Sequence, residues 1–284
     1  MIYDRVTKSY INEKESNLLK FLYSNIFGRL IIKLLTYKFF TKLGELYMNS
    51  RLSKLKIKRF IKKNNIDMNE YKETEYKNFD EFFIRDIELK NRPLLLEENL
   101  LVSPCDSKLS IYKIDSSTNI SIKNSFYTIS ELLQDDSLAQ KYKDGYCLVF
   151  RLCVDDYHHY YYIDDGKIIS RKKINGRFNT VRPIALKHTK VFSENTREYC
   201  VIDSKNFGNI IQMEVGALMV GKICNLPKDS FSRGDEKGYF RFGGSTVVLL
   251  FEHDKIVFDD DILDKVDKDI EIKVKLFDVI GRRV

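Results

Sequence analysis

At 284 residues, with 43% hydrophobic and 13% aromatic side chains, the chain holds enough apolar material for one large domain, or a domain with a helical preface, and global disorder is excluded. Its five cysteines (Cys105, Cys147, Cys153, Cys200, Cys224) are odd in number and form no C-x-x-C pair. That argues against a disulfide framework or a zinc knuckle and for a reducing compartment. The net charge of +7 is unevenly placed: residues 1–63 carry 15 Lys or Arg against 4 Asp or Glu, an excess of +11, which leaves the remainder at −4.

A basic front on a mildly acidic body calls for an anionic partner, nucleic acid or an anionic membrane surface. The opening Met1 to Arg5 has no continuous apolar stretch, so no secretory signal is expected. No run of 18 apolar residues offers a membrane span. From Ser16 to Phe60 the pattern is helical. Leu18, Leu19, Leu22, Ile26, Leu30, Ile31, Leu34 and Leu35 recur at three- and four-residue intervals, with Lys20, Lys33, Lys38 and Lys42 between them. Gly28 and Gly44 are read as bends. Such a helix suits the headgroup layer, its apolar face sunk and its lysines on anionic lipid. The plainer alternative, helices packed on their own domain, is compatible with it. Nucleic acid is disfavoured, because the basic residues are interleaved with large aliphatic ones and no recognition motif follows.

Tyr71 to Pro93 reads as a connector with a short helix around Asp80 to Phe83. From Asn99 the texture turns to short β segments: Leu100–Val102, Leu109–Ile114, Cys147–Cys153 and Lys167–Ser170, punctuated by turns such as Asn175-Gly176. Ile211 to Val215 alternates as a strand with one face in and one out, and Thr246 to Phe251 is a continuous buried run. The pattern gives an α+β chain with a mostly β body behind helices.

Three stretches offer chemistry. Phe242-Gly243-Gly244-Ser245-Thr246 delivers one hydroxyl into the start of a buried strand; alone it is an ordinary turn. Asp155-Asp156-Tyr157-His158-His159-Tyr160-Tyr161-Tyr162 concentrates titratable and aromatic groups. Two adjacent histidines on an extended segment face opposite ways and have no spaced partner, so no metal site is expected. Ser103-Pro104-Cys105-Asp106-Ser107 sets a carboxylate after a rigid turn. Asp106 there either caps the turn or orients a histidine as the third member of a Ser-His-Asp set. Cys105 is read as packing rather than as a nucleophile.

Read together and in order, these stretches resemble the phosphatidylserine decarboxylases. Ser103-Pro104-Cys105-Asp106, Asp156-Tyr157-His158, Val181 to Leu186 with Phe192 to Arg197, and Gly243-Gly244-Ser245-Thr246 carry the likeness. Glu214 to Gly221 and Phe79 to Arg85 extend it over most of the chain. The resemblance implies a proenzyme that cleaves itself between Gly244 and Ser245, with Ser245 becoming a covalent pyruvoyl cofactor. It implies catalytic roles for Asp106, His158 and Ser245: Asp106 fixing the tautomer of His158, and His158 taking the Ser245 proton. The activity implied is conversion of phosphatidylserine to phosphatidylethanolamine and CO2 through a Schiff base to the pyruvoyl group.

Two positions depart from the family pattern. Tyr161 stands where a second histidine is common, leaving His158 for both proton tasks, and Ser107 follows the aspartate where glycine is usual. The resemblance also implies a sandwich-like β architecture. The expected organisation is a basic, membrane-associating helical region over 1–70 and a β-rich catalytic domain over 71–284. The latter is split so that pieces 1–244 and 245–284 stay associated, with a homo-oligomer compatible and no nucleic acid as partner. The site of action expected is the cytoplasmic side of the cell membrane, held peripherally. Two competing readings are a pyruvoyl decarboxylase of a soluble amino acid and an unprocessed lipid-binding relative.

Overall fold

The structure, a computed structural model, describes residues 1–12, 21–23, 25–35, 38–122, 125–177, 179–180, 190–217, 222–241, 245–266, 268 and 270–284. The chain opens with two short strands, β1 (Ile2–Asp4) and β2 (Ser9–Ile11). Helices α1 (Ile26–Leu35), α2 (Lys38–Met48) and α3 (Ile57–Asn64) follow, the last preceded by a 3-10 turn at Arg51–Lys56. The short α4 spans Phe79–Phe83; Asn78 caps it by accepting the Glu81 N–H at 2.9 Å. Next come β3 (Leu100–Val102), β4 (Ser107–Lys113) and the hairpin β5 (Asn119–Ile122) and β6 (Ser125–Thr128). Thr128 and Glu131 then form a capping box that starts α5 (Ile129–Leu133), and α6 covers Asp136–Gln140.

The second half is mostly strand: β7 (Tyr146–Leu152), β8 (His159–Tyr161) and β9 (Gly166–Ile174), a single helical turn α7 (Val191–Glu194), then β10 (Arg197–Ser204) and β11 (Gly208–Gly216). It continues with β12 (Ile223–Asn225), β13 (Ser230–Phe231), β14 (Glu236–Phe240), β15 (Ser245–Phe251) and β16 (Ile256–Phe258). Helix α8 (Asp260–Val266), β17 (Glu271–Val274) and β18 (Val279–Arg283) close the chain.

One large sheet organises this α+β fold, in the order β13-β9-β10-β11-β15-β7-β4-β17-β1-β2. Its pairings are antiparallel except β1 with β17, which joins residue 2 to residue 271. The β15 segment lies at its centre, Ser245 opposite Gly216 on one side and Leu152 on the other. Val247 to Phe251 are at most 1% exposed, as a continuous apolar run predicts for a strand covered on both faces.

A three-stranded sheet, β12-β14-β8, is tied to the large sheet by a buried ion pair: Lys237 Nζ on β14 meets the two Glu214 carboxylate oxygens on β11 at 2.7 and 2.6 Å. This corrects the expected alternation of Ile211 to Val215. Gln212 and Glu214 are as fully buried as Ile211 and Met213, because both faces of β11 are covered.

The helical front is partly as expected. Ahead of the expected helical stretch, Ile2–Asp4 and Ser9–Ile11 are strands of the large sheet; within that stretch residues 16–20, 24, 36 and 37 lie outside the described residues. Gly28 and Gly44 lie inside α1 and α2 instead of marking bends. At Gly28 a Cβ would fall 2.2 Å from the Phe21 carbonyl oxygen, so glycine there permits a close approach of α1 to the preceding segment. Leu22 and Tyr23 insert into the main core, while Met48 and Ile57 form a second small core with Phe79, Phe82 and Phe83 of α4. The opposite side is apolar and open: Ile26, Phe27, Leu30, Leu46, Leu52 and Leu55 are each 60–83% exposed. Among the described residues no helix is long and apolar enough to cross a membrane.

Candidate active site

Ser245, the first residue of β15, is fully buried, and its Oγ lies 3.3 Å from His158 Nδ1. The histidine sits on the segment after β7. There a tight turn closes with Asp156 N–H donating to the Cys153 carbonyl at 3.0 Å and Cys153 N–H donating to Asp156 Oδ2 at 2.7 Å. The same Cys153 carbonyl lies 2.8 Å from His158 Nε2. A carbonyl only accepts, so Nε2 carries the ring proton and Nδ1 presents its lone pair to the serine hydroxyl. That is the tautomer a base for Ser245 requires.

The ring is also neutral. Complete burial, reinforced by the nearby Arg85 and His159, lowers the His158 pKa from 6.5 to about 3 against the opposing pull of Asp156 and the Cys153 carbonyl. Phe83 of α4 packs against the imidazole with centroids 4.1 Å apart, and Phe240 N–H on β14 holds the His158 carbonyl at 2.9 Å. Asp156 is itself pinned by Lys108 Nζ at 2.8 and 2.7 Å. Burial opposes its ionisation, but Lys108 and the Cys153 N–H hold its carboxyl below the ordinary range.

Asp106 is not brought to this histidine. Its carboxylate takes a bidentate fork from Arg92 (3.0 and 2.7 Å) and the Leu276 N–H (2.7 Å), and it lines a cavity of about 170 Å³ with Glu70, Tyr71, Asp155 and Lys275 that includes neither His158 nor Ser245. The orienting acceptor on His158 is thus the Cys153 carbonyl. The Asp106 turn still reaches the neighbouring strand, since the Pro104 carbonyl accepts the Tyr161 N–H at 2.9 Å. Gly244, with Phe242 and Gly243, lies outside the described residues, as do Val181 to Leu186, Lys187 and His188.

The remaining candidates sort by their contacts. Tyr161 bonds the Tyr157 hydroxyl at 3.0 Å, and burial pushes it up to about 12, so it stays protonated. His159 points away from Ser245, with Nδ1 on Glu236 (2.7 Å) and Nε2 on the Ile84 carbonyl (3.1 Å), its ring between Tyr157 and Tyr239. Arg197, at the end of a stretch that carries the family likeness, is 1% exposed and spends its guanidinium on the carbonyls of Leu132, Ser193, Asn195 and Glu131. It is a structural bracket, unavailable to a ligand. His253 is exposed beside Asp254. Cys105 is fully buried, which pushes its thiol up and leaves it inert. Among the described residues no cluster of His, Cys, Asp and Glu is placed to hold a metal ion.

Sequence reasoning missed how much the segment after Asn78 does. Asp80 forms an ion pair with Arg241, Nε at 2.8 Å, and Arg241 lies three residues before Gly244. Phe83 packs on His158, and the Ile84 carbonyl accepts from His159. One stretch therefore braces both the base and the chain that leads to Ser245. The available signal was the run Phe79 to Arg85 itself, in which charges sit among phenylalanines.

A buried serine that opens a central strand directly after a glycine pair, its hydroxyl against the lone pair of a neutral histidine, suits a class of protein that acts on its own chain, a proenzyme. Comparison with known proteins agrees. The family profile described as phosphatidylserine decarboxylase matches residues 79–276. Phosphatidylserine decarboxylase proenzyme 2 of Clostridium acetobutylicum is 50% identical over 283 residues, covering 99% of this chain and 97% of its own. The phosphatidylserine decarboxylase proenzymes of Clostridium novyi and Clostridium tetani are 41% and 43% identical, covering 100% and 99% of this chain and 99% and 97% of theirs. The chain belongs to the phosphatidylserine decarboxylase family, pyruvoyl-dependent carboxy-lyases made as proenzymes.

Proposed function

We propose that the chain cleaves itself between Gly244 and Ser245 and then, as a peripheral enzyme on the cytoplasmic side of the cell membrane, converts phosphatidylserine to phosphatidylethanolamine and CO2. The observation that carries the reading is the buried Ser245 hydroxyl against the lone-pair nitrogen of a neutral His158. In self-cleavage His158 Nδ1 takes the hydroxyl proton as Oγ attacks the Gly244 carbonyl carbon. The C–N bond breaks and an ester forms, the proton passing to the released amine. Loss of the Ser245 α-proton then expels the Gly244 carboxylate and leaves a dehydroalanine. Its imine tautomer takes up one water and releases ammonia, giving the pyruvoyl end.

The residues present fit that group. It is smaller than the serine it replaces, and the only side-chain partner of Ser245 among the described residues is the neutral His158. When formed, the pyruvoyl ketone supplies an electron sink for decarboxylation. His158, already the nearest proton carrier, is placed to return a proton to the carbon that loses CO2. Asp106 serves in the same set as a positioning residue: with Arg92 it fixes the turn whose Pro104 carbonyl holds Tyr161, on the strand that follows His158.

The expected division into a helical front (1–70) and a catalytic body (71–284), and of that body into associated pieces 1–244 and 245–284, is part of this proposal. The small β12-β14-β8 sheet lying on the large one supports the sandwich-like description. The exposed apolar side of α1, α2 and the 3-10 turn, with Lys42, Lys54, Lys56 and Lys58 around it, supports docking on anionic lipid. CO2 release from phosphatidylserine in vesicles, and none from free serine or aspartate, is the expected assay result. Release from a soluble amino acid alone would overturn the substrate.

A further inference from the structure

Arg85, just past α4, is 1% exposed, yet among the described residues its guanidinium hydrogen-bonds only neutral groups. Nη2 donates to the Tyr71 hydroxyl (3.1 Å) and to the successive carbonyls of Asp155 (3.1 Å) and Asp156 (3.2 Å); Nη1 donates to the Phe82 carbonyl (3.5 Å). Nε has no hydrogen-bond partner among the described residues, and the Tyr71 and Phe82 rings lie 4.3 and 5.0 Å from the guanidinium carbon. A buried cation with no ion-pair partner among the described residues is costly, so its donors or its charge must be of use where it stands.

Both carbonyls it holds belong to the turn that carries the base. His158 stands two residues past Asp156, and its Nε2 is aimed by the Cys153 carbonyl of the same turn. We propose that Arg85 is a positioning residue for the Ser245–His158 pair: its Nη2 pins the 155–156 carbonyls so that Nδ1 meets the serine hydroxyl, and it sets a fixed positive charge behind the base. Arginine suits this double task, because its planar guanidinium holds both carbonyls and the Tyr71 hydroxyl from Nη2 while Nη1 reaches the Phe82 carbonyl and the plane rests near the Tyr71 and Phe82 rings, an arrangement that a lysine ammonium does not reproduce.

The charges that face His158 give the second part its sign. Arg85 and His159, which pairs with Glu236, oppose protonation of the imidazole; Asp156 favours it and is offset by its ion pair with Lys108. The hydroxyl of Ser245 is neutral. Without Arg85, His158 accepts a proton more readily and loses its lone pair at a higher pH.

The inference rests on His158 being the base, so the test carries its own control. Full-length wild type, Arg85→Met, Arg85→Lys and His158→Ala are made by pulse-labelled cell-free synthesis, and conversion of one chain into two is timed after transfer to buffers from about pH 2.5 to 9, a range that spans the lowered pKa of His158. The expected result for Arg85→Met is cleavage slowed roughly ten- to a hundredfold, with its acid limb moved to higher pH. Arg85→Lys, which keeps the charge but not the planar guanidinium and its several donors, is slower at every pH with the limb where wild type has it. If Arg85→Met yields no protease-resistant fold, Arg85→Lys decides alone: wild-type speed or a displaced limb overturns the proposal. So does Arg85→Met with wild-type speed and profile, or both variants slowed alike with unmoved limbs. An inert His158→Ala beside normal Arg85 variants sinks only this inference; a His158→Ala that processes normally sinks the base assignment beneath it.

Discussion

A base that works from within a protein must be neutral when needed, and for His158 this has a consequence for stability. Unfolded, a histidine takes up a proton near pH 6.5; folded, His158 resists until about pH 3, because burial disfavours the cation. Above pH 6.5 neither state is protonated and the group contributes no pH dependence. Between 6.5 and 3 only the unfolded chain binds the proton, so stability falls as pH falls. At pH 5 the loss attributable to this one ring is about 2 kcal/mol. Other buried groups titrate too, so the ring is isolated by difference. In a Ser245→Ala background, which keeps the chain whole, urea unfolding is measured at pH 7 and pH 5 with and without His158→Gln. The histidine protein loses about 2 kcal/mol more than the glutamine protein on going to pH 5. Equal losses would mean that the ring ionises freely in the folded state, and the argument for a neutral buried base would fail.

Glu214→Gln strands the Lys237 ammonium between the two sheets and is expected to cost about 3–5 kcal/mol, read as a lowered urea midpoint. Replacing exposed Leu52 and Leu55 by serine removes apolar surface without touching either core. It is expected to weaken flotation with phosphatidylserine-rich vesicles while self-cleavage in solution stays at the wild-type rate. Unchanged vesicle binding would refute that docking face. Arg197→Lys replaces a fork that serves four carbonyls with one ammonium. It is expected to lower the melting temperature with KM for the lipid unchanged; a raised KM in a stable protein would place Arg197 at the substrate site.

The parts of the fold that could be read from sequence are those with local causes. Val247 to Phe251 announces a central strand because five successive apolar side chains fit only where both faces are covered. β1 and β2 gave no such signal: each has three residues, and β1 finds its parallel partner at residue 271. The polar positions of β11 misled, since Gln212 and Glu214 suggest an outward face until Lys237 arrives from another sheet. At the site, Ser245 and His158 were legible as side chains in an ordered set of stretches, and the structure brings them within 3.3 Å. The acceptor that aims His158 is a backbone carbonyl, invisible in any sequence, whereas the carboxylate that seemed suited to the task, Asp106, pairs with Arg92 fourteen residues earlier.

The central claim, that this chain makes its own electron sink from Ser245, is tested most directly by a denaturing intact-mass spectrum of the purified protein. The account predicts two species dividing at Gly244 and Ser245, the shorter lighter than a plain 245–284 peptide by one ammonia, and both absent from Ser245→Ala. A single full-length mass, unchanged after incubation with phosphatidylserine vesicles, would contradict it.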